Sequence, residues 1–225
     1  MPRLVTFGCS HVFGHGLPDC ITLAYEEDKD SKTRSRFHAP GEKPSQFAWP
    51  SLLAEKLNRE CLNLSEPGSS NLTILMEILK CDFKPDDLVI IGFTYFGRYN
   101  CHIFVDKAGS GNVIGKNTED HRKMILADMG IKNSELREYW YNWLTIHHAM
   151  TYLKSINVKS FFHVGPLWDT PDSGERIKPD MLEFDNFLDD VKLVYRDFAL
   201  DNMHQGLESH RLQSELIYNR IKDRI

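Results

Sequence analysis

The apolar run that opens "LVTFGCSHVFGHG", from Leu4 to Gly16, gives way to Gly8, Cys9 and Ser10 within a few residues. A serine just past the end of a strand sits where open α/β sheets present reactive groups, at the carboxyl edge. Ser10 is therefore a candidate nucleophile, although glycine and serine also make ordinary turns. A serine hydroxyl is a weak nucleophile near neutral pH, and it needs an adjacent base that is itself held by a third group. The chain has 10 histidines. The informative one is His204 in "LDNMHQGLESHRL", because Asp201 lies three residues before it and a helical pattern starts just after. A compact turn at that spacing can aim the imidazole outward with the carboxylate behind it. The alternative at this point is that Asp201 or Asn202 caps a turn and His204 is a surface residue.

Positioning these residues requires a sheet, and the chain supplies one. Leu4 to Phe7 reads as a buried strand, and "QFAWPSLLAEKLNRE" from Gln46 as a helix with Leu52, Leu53 and Leu57 on its apolar face. A short strand follows at Cys61 to Leu64. "SSNLTILMEILKC" from Ser69 has a Ser or Asn N-cap and helical apolar spacing. "DLVIIGF" from Asp87 is a continuous apolar run, as expected of a parallel strand covered on both faces. "SELREYWYNWLTIHHAMTYLKS" from Ser134 reads as a long helix, "VKSFFHVG" from Val158 as a strand, and "GLESHRLQSELIYNRIKDRI" from Gly206 as a closing helix. This alternation predicts a three-layer α/β/α domain with a mostly parallel sheet.

At 225 residues the chain suits one domain. Three stretches interrupt the alternation and read as insertions, near 20–45, 106–120 and 166–180. The last, leaving a strand end, is expected to wall or cover the site. A net charge of −5 with mixed signs offers no basic face, so no nucleic acid partner is expected. The five cysteines form no CxxC pair, which predicts neither a disulfide framework nor a zinc ribbon. No signal-peptide core and no run near the roughly 18 apolar residues of a membrane helix is read, so a soluble cytoplasmic protein is expected. His11 and His15 are four apart, but Gly14 and Gly16 disfavour a helix there, and His147 and His148 are adjacent and point apart. No metal is expected.

Four segments, "FGCSHVFGHG", "NLSEPGSSN", "IGFTYFGRYN" and "DNMHQGLESHRL", stand in an order that resembles the SGNH, or GDSL-type, hydrolases. That resemblance implies a flavodoxin-like sheet, with Ser10 as nucleophile, His204 as general base and acid, and Asp201 orienting the imidazole. The backbone N–H groups of Ser10 and Gly68 would face the oxyanion. Two departures stand out. Cys9 replaces the usual aspartate of the first block, and Thr94 occupies the position of the oxyanion-hole asparagine. Losing one such donor can cost on the order of 10² to 10³ in rate. Asn71 is either a first-turn residue of its helix or a side chain pointing into the site, and Arg98 either binds an anionic substrate group or makes a surface ion pair. The implied function is an esterase or acyl hydrolase needing no cofactor, preferentially a carbohydrate O-deacetylase, with Tyr95, Tyr99 and Trp168 available to stack on a sugar. The alternative is a non-catalytic binding or particle-structural protein that retains the fold.

Overall fold

The computed structural model describes residues 1–25, 36–40, 43–95, 134–165 and 184–225. Strands β1 (Arg3–Gly8), β4 (Glu60–Asn63), β5 (Leu88–Phe93) and β6 (Lys159–Val164) form one sheet in the order β4-β1-β5-β6. Every pairing in it is parallel, so all four carboxyl ends lie on one edge. The chain steps from β1 outward to β4 and then back across to β5. The carboxyl ends of β1 and β5 therefore flank a topological switch point, where open α/β sheets open a crevice for ligands.

The apolar runs pack on both faces because successive side chains of a strand point to opposite sides. Val5, Phe7, Val89, Ile91 and Phe162 join Ile74 and Ile78 of α3 (Asn71–Lys80) and Ile146 and Leu153 of α4 (Ser134–Ser155) in one buried cluster. Leu4, Leu88, Ile90 and Phe161 join Trp49 and Leu53 of α2 (Trp49–Lys56) and Ile217 and Ile221 of α5 (Leu207–Ile221) in the other. Burying each such Leu, Ile or Phe side chain stabilises the fold by roughly 1.5–3 kcal/mol. The result is the three-layer α/β/α arrangement that the sequence pattern predicts.

Two boundaries differ in an instructive way. The helix expected from Gln46 starts at Trp49, because the preceding backbone is bonded elsewhere. Gln46 N donates to Asp19 Oδ2 at 2.8 Å and Phe47 N to Ser45 Oγ at 3.0 Å, while Pro50 occupies the first turn. The long polar stretch after Cys20 contains an antiparallel pair outside the main sheet. Its strands β2 (Ile21–Tyr25) and β3 (Arg36–Pro40) are in register from Ile21↔Pro40 to Tyr25↔Arg36. The insertions expected at 106–120 and 166–180 lie outside the described residues. Among the described residues, no helix is long and apolar enough to cross a membrane.

Candidate active site

The nucleophile candidate sits in a tight step from strand to helix. After Gly8 ends β1, Ser10 is the first residue of α1 (Ser10–Phe13), whose Val12 packs onto the sheet. That approach needs two glycines. A Cβ at Gly8 would stand 2.2 Å from Val12 Cγ2, and one at Gly92, the register partner on β5, would stand 2.6 Å from it. Asn63 at the end of β4 adds a hydrogen bond from its Nδ2 to Val12 O at 2.9 Å. Ser10 is thereby pinned at the switch point with 4 % of its surface exposed.

The candidate base, His204, comes from a short closed loop before α5. Asp197 holds both ends of it. Its backbone O accepts from Gly206 N at 3.0 Å, and its carboxylate caps α5 by accepting from Glu208 N at 3.1 Å and Ser209 N at 2.7 Å. Inside the loop Ala199 N donates to His204 O at 2.9 Å, and Leu200 N donates to Gly16 O at 3.0 Å, tying the loop to the chain leaving α1.

Asp201 makes both sets of contacts that the sequence presented as alternatives. Its Oδ1 accepts from Met203 N at 2.9 Å and His204 N at 3.0 Å, which is turn capping. Its Oδ2 lies 2.5 Å from His204 Nδ1. His204 Nε2 lies 2.9 Å from Ser10 Oγ, across 194 residues of sequence. With a carboxylate as its only possible role, Asp201 must accept, so Nδ1 carries the proton and Nε2 offers its lone pair to the serine hydroxyl. Burial pushes the Asp201 carboxyl up, but the two backbone N–H groups and the imidazole outweigh it and hold it below the usual carboxylate range.

Two other buried histidines have different surroundings. Burial pushes His163 and His210 down to about 4, so both are neutral near pH 7. His210 Nδ1 is spent accepting from Trp49 N at 3.1 Å.

The oxyanion candidates follow the two strands that neighbour β1. Gly68 lies in a turn with φ +82°, brought beside the end of β1 by Glu66 N donating to Gly8 O at 3.2 Å. Thr94 directly follows β5. Asn71 is the first residue of α3, after Ser70, whose Oγ caps the helix by accepting from Thr73 N at 3.2 Å. The Asn71 amide clamps the Thr94 backbone. Its Oδ1 accepts from Thr94 N at 2.8 Å, and its Nδ2 donates to Thr94 O at 3.2 Å and to Asn142 Oδ1 of α4 at 2.8 Å.

No protein-family profile matches the sequence, and no curated protein sequence matches it. Solved structures do match. Ninety-nine per cent of the chain superposes with a TM-score of 0.58 and 14% identity on an acetyl xylan esterase, Est2A, from the rumen bacterium Butyrivibrio proteoclasticus, covering 63% of that chain. The chain therefore spans less than two thirds of that esterase's length. Est24, a carbohydrate acetylesterase from Sinorhizobium meliloti, matches over 100% of both chains with a TM-score of 0.52 and 12% identity. A G-D-S-L family protein from Desulfitobacterium hafniense DCB-2 matches over 97% of this chain and 99% of its own, with a TM-score of 0.50 and 11% identity. The fold is that of the SGNH hydrolases.

Within the SGNH fold, the described residues of the four sequence blocks fall at the carboxyl edge of the sheet or on the loop before α5. Ser10, Asp201 and His204 form one hydrogen-bonded chain, and Gly68 and Thr94 follow the strands on either side of β1. Arg98, Tyr99 and Trp168 lie outside the described residues. Tyr95 is 36 % exposed with its ring centroid 6.3 Å from that of His11. Asn142 and Asp197 are not singled out in the sequence reading, and His15 enters it only as a neighbour of His11 four residues away. A polar residue on a helix face otherwise apolar, as Asn142 is among Ile146, Ala149 and Met150, is the one signal that points to such a buried brace.

Proposed function

We propose that this protein is a serine ester hydrolase, with acetylated carbohydrate as its substrate class and one domain carrying insertions near 20–45, 106–120 and 166–180. The observation that carries this reading is the unbroken chain Asp201–His204–Ser10, with contacts of 2.5 and 2.9 Å. Ser10 Oγ attacks the ester carbonyl while its proton passes to His204 Nε2. Asp201 stabilises the imidazolium so formed. The carbonyl oxygen, now carrying the charge, is received by the backbone N–H groups of Ser10 and Gly68. Collapse of the tetrahedral intermediate expels the alcohol, which takes the proton from Nε2. Water, deprotonated by the same nitrogen, then releases the acyl group as its acid and restores Ser10. The cycle consumes no cofactor.

Carbohydrate acetate is favoured among esters because two of the solved structures with this fold are acetyl xylan and carbohydrate acetyl esterases. Half-exposed Tyr95 and Tyr195, both beside His11, add aromatic faces near the serine. Labelling with a fluorophosphonate should modify Ser10 stoichiometrically. A panel of nitrophenyl esters and acetylated xylo-oligosaccharides should show acetyl groups released faster than longer acyl chains. No labelling together with no turnover would leave the non-catalytic binding role, which the threonine at position 94 favours.

Thr94 offers a third donor. Its Oγ1 is buried and has no hydrogen-bond partner among the described residues, so its proton is unspent. Thr94→Val keeps the shape, and the Asn71 clamp on the backbone is untouched. The expected result is a fall in kcat on the order of 10², the scale of one lost oxyanion donor. The melting temperature should not fall, because deleting an unpaired buried hydroxyl is close to neutral. An unchanged kcat would remove Thr94 from the oxyanion hole.

A further inference from the structure

A second imidazole stands against the carboxylate that serves His204. His15 Nε2 lies 3.9 Å from Asp201 Oδ2, the same oxygen that meets His204 Nδ1. The two imidazole rings meet edge to face with centroids 4.9 Å apart. One donor atom each from His15, Asp201 and His204 lies within 4.8 Å of the other two. The backbone holds them there. Leu200 N donates to Gly16 O, and a Cβ at Gly16 would stand 2.9 Å from Asp201 Oδ2, so the carboxylate rests directly on bare main chain. The His204 side chain keeps 18 % of its surface exposed and His15 keeps 11 %, which leaves a narrow approach from solvent.

We propose that His15, Asp201 and His204 form a binding site for a divalent transition-metal ion of the zinc type, and that the bound ion switches the triad off. The inhibitory half of this proposal rests on the esterase reading, and the binding half does not. Two imidazole nitrogens and one carboxylate oxygen are the donor set zinc takes with a fourth position left to water. Magnesium and calcium prefer all-oxygen surroundings. Zinc–ligand bonds of about 2.0–2.2 Å place ligand atoms roughly 3.3 Å apart, so the contact at 3.9 Å closes and the one at 2.5 Å opens by modest side-chain shifts.

The loss of activity follows from the tautomer. The ion takes the lone pair of His204 Nδ1, so the proton there must leave. The neutral ring keeps one proton, now on Nε2, and nothing is oxidised or reduced. Nε2–H then donates to Ser10 Oγ where before it accepted, and the serine has no base.

The test uses the whole chain, stripped of metal with a chelator. Calorimetric titration with zinc chloride should give one ion per chain, and cobalt(II) should develop the visible absorption of a tetrahedral nitrogen and oxygen site. Ester hydrolysis and fluorophosphonate labelling should fall over the same zinc range and return on adding chelator, with magnesium inert at millimolar concentration. His15→Leu and His15→Gln, each first checked for a cooperative melt, should weaken zinc binding at least tenfold and shift inhibition equally. Zinc affinity unchanged in both variants overturns the proposal, whatever the hydrolytic activity. If zinc binding depends on His15 but the parent turns over no ester, the site stands and the esterase reading fails.

Discussion

Ser10→Ala should reduce ester hydrolysis to the level of the uncatalysed background while the protein keeps its fold. In the triad template, losing the nucleophile costs on the order of 10⁶ in kcat, because the base and the orienting acid have nothing left to activate. The structural cost is small by comparison. Among the described residues, Ser10 Oγ makes one hydrogen bond, to His204 Nε2. A bond of that kind is worth about 1 kcal/mol net, and alanine is at home in the first turn of a helix. What holds α1 in place is Val12 against Gly8 and Gly92 and the Asn63 bond to Val12 O, none of which involves the serine side chain. Kinetics on nitrophenyl acetate beside a thermal melt would check this. A variant retaining a tenth of the parent's kcat would sink the serine mechanism, whereas loss of rate with a collapsed melt would call for Ser10→Gly before any conclusion.

Asp201→Asn is expected to be the next most damaging change, and it separates the two tasks of this residue. The asparagine carbonyl can still accept from Met203 N and His204 N, so the turn survives. Its amide NH₂ then faces His204 Nδ1 where a carboxylate oxygen stood. Two donors cannot share that contact. The imidazole therefore carries its proton on Nε2 and points an N–H at Ser10. In the triad template this tautomer error costs roughly 10⁴ in turnover with geometry preserved. A fall of that order with a melting temperature within a few degrees of the parent is the expected pair of results. A kcat within about threefold of the parent would leave Asp201 a capping residue alone. Zinc and asparagine are expected to disable the site by the same inversion, one reversibly and the other by substitution.

The sequence by itself determined the layers and the order of the parts. Runs such as Leu88 to Phe93 are apolar on both faces, so they become strands buried between helices, and the helical spacing of Leu72, Leu75 and Ile78 is local information too. Asp201 and His204 are three residues apart, so their contact was one of the two readings that the spacing allowed, and Ser10 was marked by its place after an apolar run. Only the tertiary structure decided that one carboxylate both caps the turn and meets the imidazole. It alone showed that Asn71 clamps Thr94 from 23 residues away with Asn142, 71 residues from it, behind the amide. It alone set His15 against the far loop. The reason is one of range. Periodicity and turn chemistry are set by neighbours within a few residues, whereas a side chain's partner across the fold depends on strand register and on which layer each helix joins. Those are fixed together, when the two apolar faces of the sheet are buried, and the same burial leaves each interior polar group only the few partners that packing brings within reach.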